Sequence, residues 1–219
     1  MNIFDIVGPV MVGPSSSHTA GAVKIGRVAR ELLGEEPENV AIGLHGSFAQ
    51  TYRGHGTDKA IIAGLMGMSM DDARIRDSLG VAQEAGIKYK LETIMIRDAH
   101  PNTALIKVNG KSGRHISVQG ASIGGSNIII QKVNGIDVEF TGQYNTLIIS
   151  HTDTPGAIAQ VTTLLSYNNI NIANMKVYRS YRGGDAIMII ETDDDIEGEL
   201  LVMIQQLSRI QNCMNVHPV

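Results

Sequence analysis

The sequence predicts an α+β fold in two parts, on three observations. Up to Gly86, apolar residues at helical spacing alternate with short strand-like runs. From Tyr89 to Phe140, runs of β-type residues follow one another, punctuated by Gly and Asn. After a polar joint, TGQYN, the order reads strand, helix, strand, strand, helix, strand. The reading therefore divides the chain into a mixed unit over 1–143 and a smaller unit over 145–219.

The first helix follows the stretch GPSSSHTAGAVKIG. Ala22, Ile25, Ala29 and Leu32 recur at the spacing of one helix face, and Gly34 supplies the residue that ends it. Val40, Ile42 and Leu44 alternate as in a strand. The stretch HGSFAQTYRGHGTDKAIIAGLMG reads as a strand, a glycine-flanked loop (GHGTD) and an apolar helix capped by Thr57 or Asp58. Asp71 to Gly86 reads as one more helix, with Ile75, Leu79 and Ala82 inward. The strands that follow are YKLETIMIR, TALIKVN, RHISVQ, NIIIQKV and DVEF, with hairpin signals at Asn109–Gly110 and Asn134–Gly135. In the second unit, TLIISH, INIANMKVYRSY, AIMIIE and CMNVHP read as strands, and PGAIAQVTTLLSYN and IEGELLVMIQQLSRI as helices. Pro155 is expected at the first helical position and Gly183–Gly184 in a turn. This βαββαβ order is the ferredoxin-like one.

Composition narrows the function. The chain has 219 residues, enough for a sizeable core, and a formal net charge of −4. It has no basic run and few aromatic residues (6 Tyr, 3 Phe, no Trp), which argues against a nucleic-acid partner. One cysteine, Cys213, excludes an internal disulfide and any metal site or cluster built from this chain's own thiols. The opening MNIFDIVGPVMVG lacks the basic and apolar regions of a signal peptide, and no apolar run is long enough for a bilayer. The expectation is a cytoplasmic protein with no membrane contact.

Four polar segments punctuate element boundaries: GPSSSHT, GHGTD, HPN and SIGGS. Each sets a side chain that binds or transfers protons beside a glycine or proline that shapes the backbone. Histidine titrates near neutral pH and suits proton abstraction, while Gly-Gly lets backbone N–H groups approach an anion. Taken singly, each histidine has a structural explanation; the constellation is what points to chemistry. A serine-nucleophile hydrolase fits poorly, because the chain has no G-x-S-x-G elbow.

Together, in this order, the four segments resemble the iron–sulfur-dependent L-serine dehydratase family, and the chain is similar to the β subunit of its two-subunit form. The second unit, with HTDTPG and NNINIANM, resembles the ACT domain, a regulatory module that usually binds amino acids between paired copies. The resemblance implies conversion of L-serine to pyruvate and ammonia in a site shared with an α subunit. A four-iron, four-sulfur cluster would be held by that subunit's cysteines, with no metal in this chain. His55 or His100 would be the base. Ser15, Ser16, Ser17, His18, Thr19, Thr57, Asp58, Asn102, Ser122, Gly124 and Gly125 would bind substrate, with His18 a third candidate base weakened by its place at a helix start. In the ACT unit, His151, Asp153, Gly156 and Asn171 would meet an effector. Asp153 stands where related serine-binding modules often carry asparagine, so it favours an amine or a cation over a carboxylate. Self-association through the ACT unit is implied too. The competing expectation is a non-catalytic amino-acid-sensing module with structural histidines.

Overall fold

The computed structural model describes residues 10–196 and 198–219. The signal-peptide reading falls largely on residues 1–9, outside the described residues. The structure divides into two compact units, with the boundary between Ile136 and Asp137.

The first unit carries a mixed sheet with helices packed on it, and the sheet's sixth strand begins at the boundary. The strands are β1 (Pro37–Leu44), β2 (Lys88–Thr93), β3 (Thr103–Gly110), β4 (His115–Gly124), β5 (Asn127–Val133) and β6 (Ile136–Phe140). They lie in the order β2-β1-β3-β4-β5-β6; β1 and β2 are parallel, and the β1–β3, β3–β4 and β4–β5 pairs are antiparallel. Alternation sets the faces: Val40, Ile42 and Leu44 of β1 join Ala104, Ile106 and Val108 of β3 in the core. Against the sheet lies α1 (Gly21–Leu33), which buries Ala22, Ile25, Ala29 and Leu32 as its spacing predicts and ends at Gly34 in the left-handed region, φ 70°.

Several elements differ from expectation. The segment read as a strand after β1 is a helix, α2 (Gly46–His55), followed at once by α3 (Thr57–Leu65). Phe48, Thr51 and Tyr52 suit a strand by local preference, but burying Phe48 completely in the core overrides it. Gly46, at φ 57°, makes the turn into α2, where a side chain would strike the backbone of Pro101. The cap of α3 is Gly56; Thr57 and Asp58 lie inside its first turn and do not cap it. The helix expected over Asp71–Gly86 breaks into a 3-10 turn, Ala73–Asp77, and α4 (Ser78–Glu84). Asp72 caps the turn through the Arg74 N–H, and the Ser78 hydroxyl donates to the Lys59 carbonyl at 2.7 Å, so local polar bonds interrupt the helix. The Asn134–Gly135 pair turns with both φ positive, 50° and 81°, as a tight hairpin requires. Asn109–Gly110 instead ends β3, and the turn follows at Lys111–Gly113, where the left-handed φ belongs to Gly113.

The second unit runs β7 (Asn145–Thr152), α5 (Ala157–Tyr167), β8 (Ile172–Arg179), β9 (Asp185–Thr192), α6 (Glu199–Gln205), β10 (Ile210–Val216). Its four strands lie in the order β10-β7-β9-β8 with antiparallel neighbours. Leu147, Ile149, Met188 and Ile190 pack with Val161 and Leu165 of α5, Ile204 of α6 and Cys213. Pro155 precedes the helix instead of opening it; the cap is Gly156, at φ 89°. Among the described residues no helix is long and apolar enough to cross a membrane.

Candidate active site

The serine run forms a π-helical turn, Ser16–Ala20, that leads straight into α1. Single π turns inside helices are often functional. Ser15 caps it: its Oγ accepts the His18 backbone N–H at 3.1 Å and lies 3.2 Å from His18 Nδ1. The other ring nitrogen, Nε2, is 3.0 Å from Ser47 Oγ in the first turn of α2. His18 is thus held between two hydroxyls. Its ring also meets the edges of Phe48 and His55, with centroids 5.4 Å and 4.7 Å away.

His55 ends α2, and its carbonyl accepts the Thr19 hydroxyl at 3.2 Å. Its Nδ1 is buried without a hydrogen-bond partner. Gly56, at φ 69°, closes α2 and opens α3 in one residue. Thr57 is fully buried and its Oγ1 has no partner. Asp58 turns to the Lys59 N–H at 2.8 Å.

The HPN turn abuts the start of α2, where the Phe48 N–H donates to the Pro101 carbonyl. Asn102 donates its backbone N–H to His100 Nδ1 at 3.1 Å. Its carbonyl accepts the Ser122 N–H at 3.0 Å, and its amide reaches the Ser122 carbonyl at 3.5 Å. Ser122 is buried, its Oγ has no partner, and a side chain on Gly21 would overlap it. Two groups result: Ser15, His18, Thr19 and His55 meet one another, and Asn102 is bonded to Ser122 and to His100, which is exposed. Ser16 and Ser17 lie in the π turn.

Gly124 and Gly125 lie at the turn of the β4–β5 hairpin. Gly124 pairs with Asn127, so Gly125 and Ser126 form the two-residue loop of the β4–β5 hairpin, at φ 56° and 65°. The glycines serve turn geometry there. Sequence reasoning missed Ser47, the second partner of His18; reading HGSF as a strand concealed that the serine opens a helix. It also missed His45, whose Nδ1 accepts the Ile96 N–H at 3.2 Å.

Burial, and secondarily the neighbouring His55, lowers the His18 pKa from its ordinary value. A neutral ring between two hydroxyls donates through one nitrogen and accepts through the other. The unfolded chain takes up this proton first, so the stabilisation is whole above about pH 6.5 and is lost as pH falls from there through the lower folded value. The thermal midpoint is expected to drop between pH 7.5 and pH 5, and less so in His18→Gln. Equal drops in both proteins would contradict the assignment.

The candidate effector residues do not all meet. His151 is buried, with Nδ1 3.0 Å from the Thr152 carbonyl and Nε2 without a partner. Asp153 accepts the Gly183 N–H and Arg179 Nη1, both at 3.1 Å, and these bonds hold its carboxyl below the usual carboxylate range. It is therefore engaged within its own chain. Arg209 donates to the Pro155 carbonyl and lies over Gly156. Asn171 lies at the opposite end of the sheet, donating to Asp193 at 2.6 Å. The strand directions explain this: Thr152 pairs with Asp185 at the start of β9, whereas Ile172 pairs with Thr192 at its end.

Comparison with known proteins decides the family. A model described as serine dehydratase beta chain matches residues 2–133, and one described as ACT domain matches 145–202. The chain belongs to the serine dehydratase beta chain family. Within that family it is 42% identical to the probable L-serine dehydratase, beta chain, of Bacillus subtilis, over 98% of this chain and 96% of the relative. It is 38% identical to the L-serine dehydratase, beta chain, of Peptoniphilus asaccharolyticus, over 94% and 93%. Serine dehydratase beta chains are not its only relatives: a D-3-phosphoglycerate dehydrogenase of Bacillus subtilis is 29% identical over 89% of this chain, a match spanning 36% of that longer protein.

Proposed function

We propose that this chain is the β subunit of a two-component L-serine dehydratase and that His55 acts as its base. The supporting observation is the set of orphaned polar atoms. His55 Nδ1, Thr57 Oγ1 and Ser122 Oγ are buried without partners, and all three residues belong to the sequence segments that define the family resemblance. A buried polar group left unpaired costs about 1–3 kcal/mol, so a fold tolerates such groups where something else supplies the bond. A bound amino acid and a partner's surface would supply them.

Hydrogen-bond accounting separates the histidines. His18 has both ring nitrogens occupied. His100 Nδ1 accepts a backbone N–H, so the neutral ring carries its proton on Nε2 and is set to donate. His55 Nδ1 is uncommitted. In this reading His55 takes the α-proton of serine, His100 stands as a donor at the rim, and Ser15, Asn102 and Ser122 orient the carboxylate near the start of α1.

The departing hydroxyl needs an electrophile. A four-iron, four-sulfur cluster on the partner would polarise it. In this reading Cys213 takes no part in holding it: the residue is buried in the second unit's core and burial pushes its thiol up to about 12. The second unit, read as a ferredoxin-like ACT module, would pair with another copy. Asn171 and the His151–Gly156 turn lie at opposite ends of one chain's sheet, so an effector that met both would have to lie between copies. A cytoplasmic location accords with this chemistry.

A second reading has its own observation. The same two-part arrangement matches part of a protein named for a different reaction, which favours a non-catalytic sensing module. Anaerobic pyruvate formation from L-serine separates the readings. No turnover is expected from this chain alone, and turnover is expected with a cluster-loaded partner. An assembled, cluster-loaded mixture without turnover would support the sensing module.

A further inference from the structure

A cleft of about 600 Å³ opens beside His55, between the Met11–Pro14 segment, the turn joining α2 to α3, and the 3-10 turn. Arg53, Lys59 and Arg76 line it, and among the described residues no Asp or Glu does. That local excess stands against a net charge of −4 for the chain.

Two of the cations, Lys59 and Arg53, are placed by neutral groups. Lys59 Nζ donates to the Arg76 carbonyl at 2.9 Å. Arg53 Nε donates to the Tyr52 hydroxyl at 3.1 Å, and its guanidinium lies 5.6 Å from the Tyr52 ring centroid. These contacts set position and cancel no charge. Elsewhere in the same unit, Arg30 pairs with Glu36 and Arg74 with Asp72. The backbone adds to the potential, since Gly56, the cap of the nine-residue α3, is also in the wall. His55, with its unpartnered Nδ1, forms another part of it. A concave site lined by one sign of charge focuses the field and concentrates counter-ions. The volume is within the range of small-molecule sites, about 300–1,000 Å³.

We propose that this cleft binds a small polyanion, an oxyanion of two or more negative charges such as a phosphate or a polycarboxylate. A free amino acid carries a positive ammonium as well as its carboxylate, and among the described residues no lining carboxylate receives that ammonium. Ser15, His18, Ser47, Asn102 and Ser122 do not line the cleft, whereas His55 and Thr19 do, so the site adjoins the serine site proposed above and shares His55 with it.

Calorimetric titration of the whole chain with inorganic phosphate, citrate and L-serine, at constant ionic strength, tests this. Saturable binding of phosphate or citrate is expected, with Lys59→Gln and Arg76→Gln each weakening it at least about tenfold. Arg53→Gln should act in the same direction. The thermal midpoints of the three variants should match or exceed that of the parent, which shows that they fold. The proposal falls if neither anion binds saturably or if binding survives all three substitutions. It falls equally if L-serine binds as tightly and is lost in the same variants. The measurement needs no partner subunit, so its outcome is independent of the dehydratase reading.

Discussion

In the proposed two-component enzyme, replacing His55 with alanine is expected to lower kcat about 10²- to 10⁴-fold, the range for losing a general base. Assembly should persist, and the unfolding midpoint should move little. The side chain makes no hydrogen bond through Nδ1, so its removal deletes an orphaned buried polar atom along with its ring contact to His18. Activity and stability thus respond differently, which a structural histidine would not show. His100→Ala should cost less, because its ring is exposed at the rim. If His55→Ala retained more than a tenth of the parent kcat in a verified complex, the base would have to be reassigned.

The second large effect concerns the scaffold. Helices α1 and α3 cross in direct backbone contact at Gly26 and Gly64. A Cβ on Gly64 would lie 2.1 Å from the Val23 carbonyl oxygen and 2.8 Å from the Arg27 nitrogen. One on Gly26 would lie 2.3 Å from the Ile61 carbonyl oxygen. No rotamer change relieves a clash with backbone, so the helices must part. Gly64→Ala gains about 1 kcal/mol of helix propensity but meets overpacking of about 1–3 kcal/mol, with these distances at the upper end. A net loss of about 2 kcal/mol is expected in urea unfolding. Activity should fall beyond what instability explains, because α1 carries the serine turn at its start and α3 begins at Thr57, beside His55. The double change Gly26→Ala with Gly64→Ala should cost less than the sum of the two, since both act on one crossing. A stable, fully active Gly64→Ala protein would show that the crossing has slack.

What the amino-acid sequence determined by itself was short-range. The spacing of Ala22, Ile25, Ala29 and Leu32, the alternation along β1 and β3, and the turn at Asn134–Gly135 each depend on a few neighbouring residues, and each was legible. So were the strand and helix order of the second unit and the chemical character of the serine, histidine and asparagine segments. Where local preference competed with burial, the reading failed: Phe48, Thr51 and Tyr52 looked like strand residues until the core claimed Phe48 for a helix. Only the tertiary structure decided which side chains meet. His18 reaches Ser47 across 29 positions, and Ser122 reaches Asn102 across 20, because strand register and the close α1–α3 crossing bring those segments together. The same register separates Asn171 from Asp153, although both lie in the segments that resemble a ligand-binding module. Periodicity and turn chemistry act over a few residues, whereas a site is set by the packing of segments distant in the chain, and that packing is decided by the sum of all buried contacts.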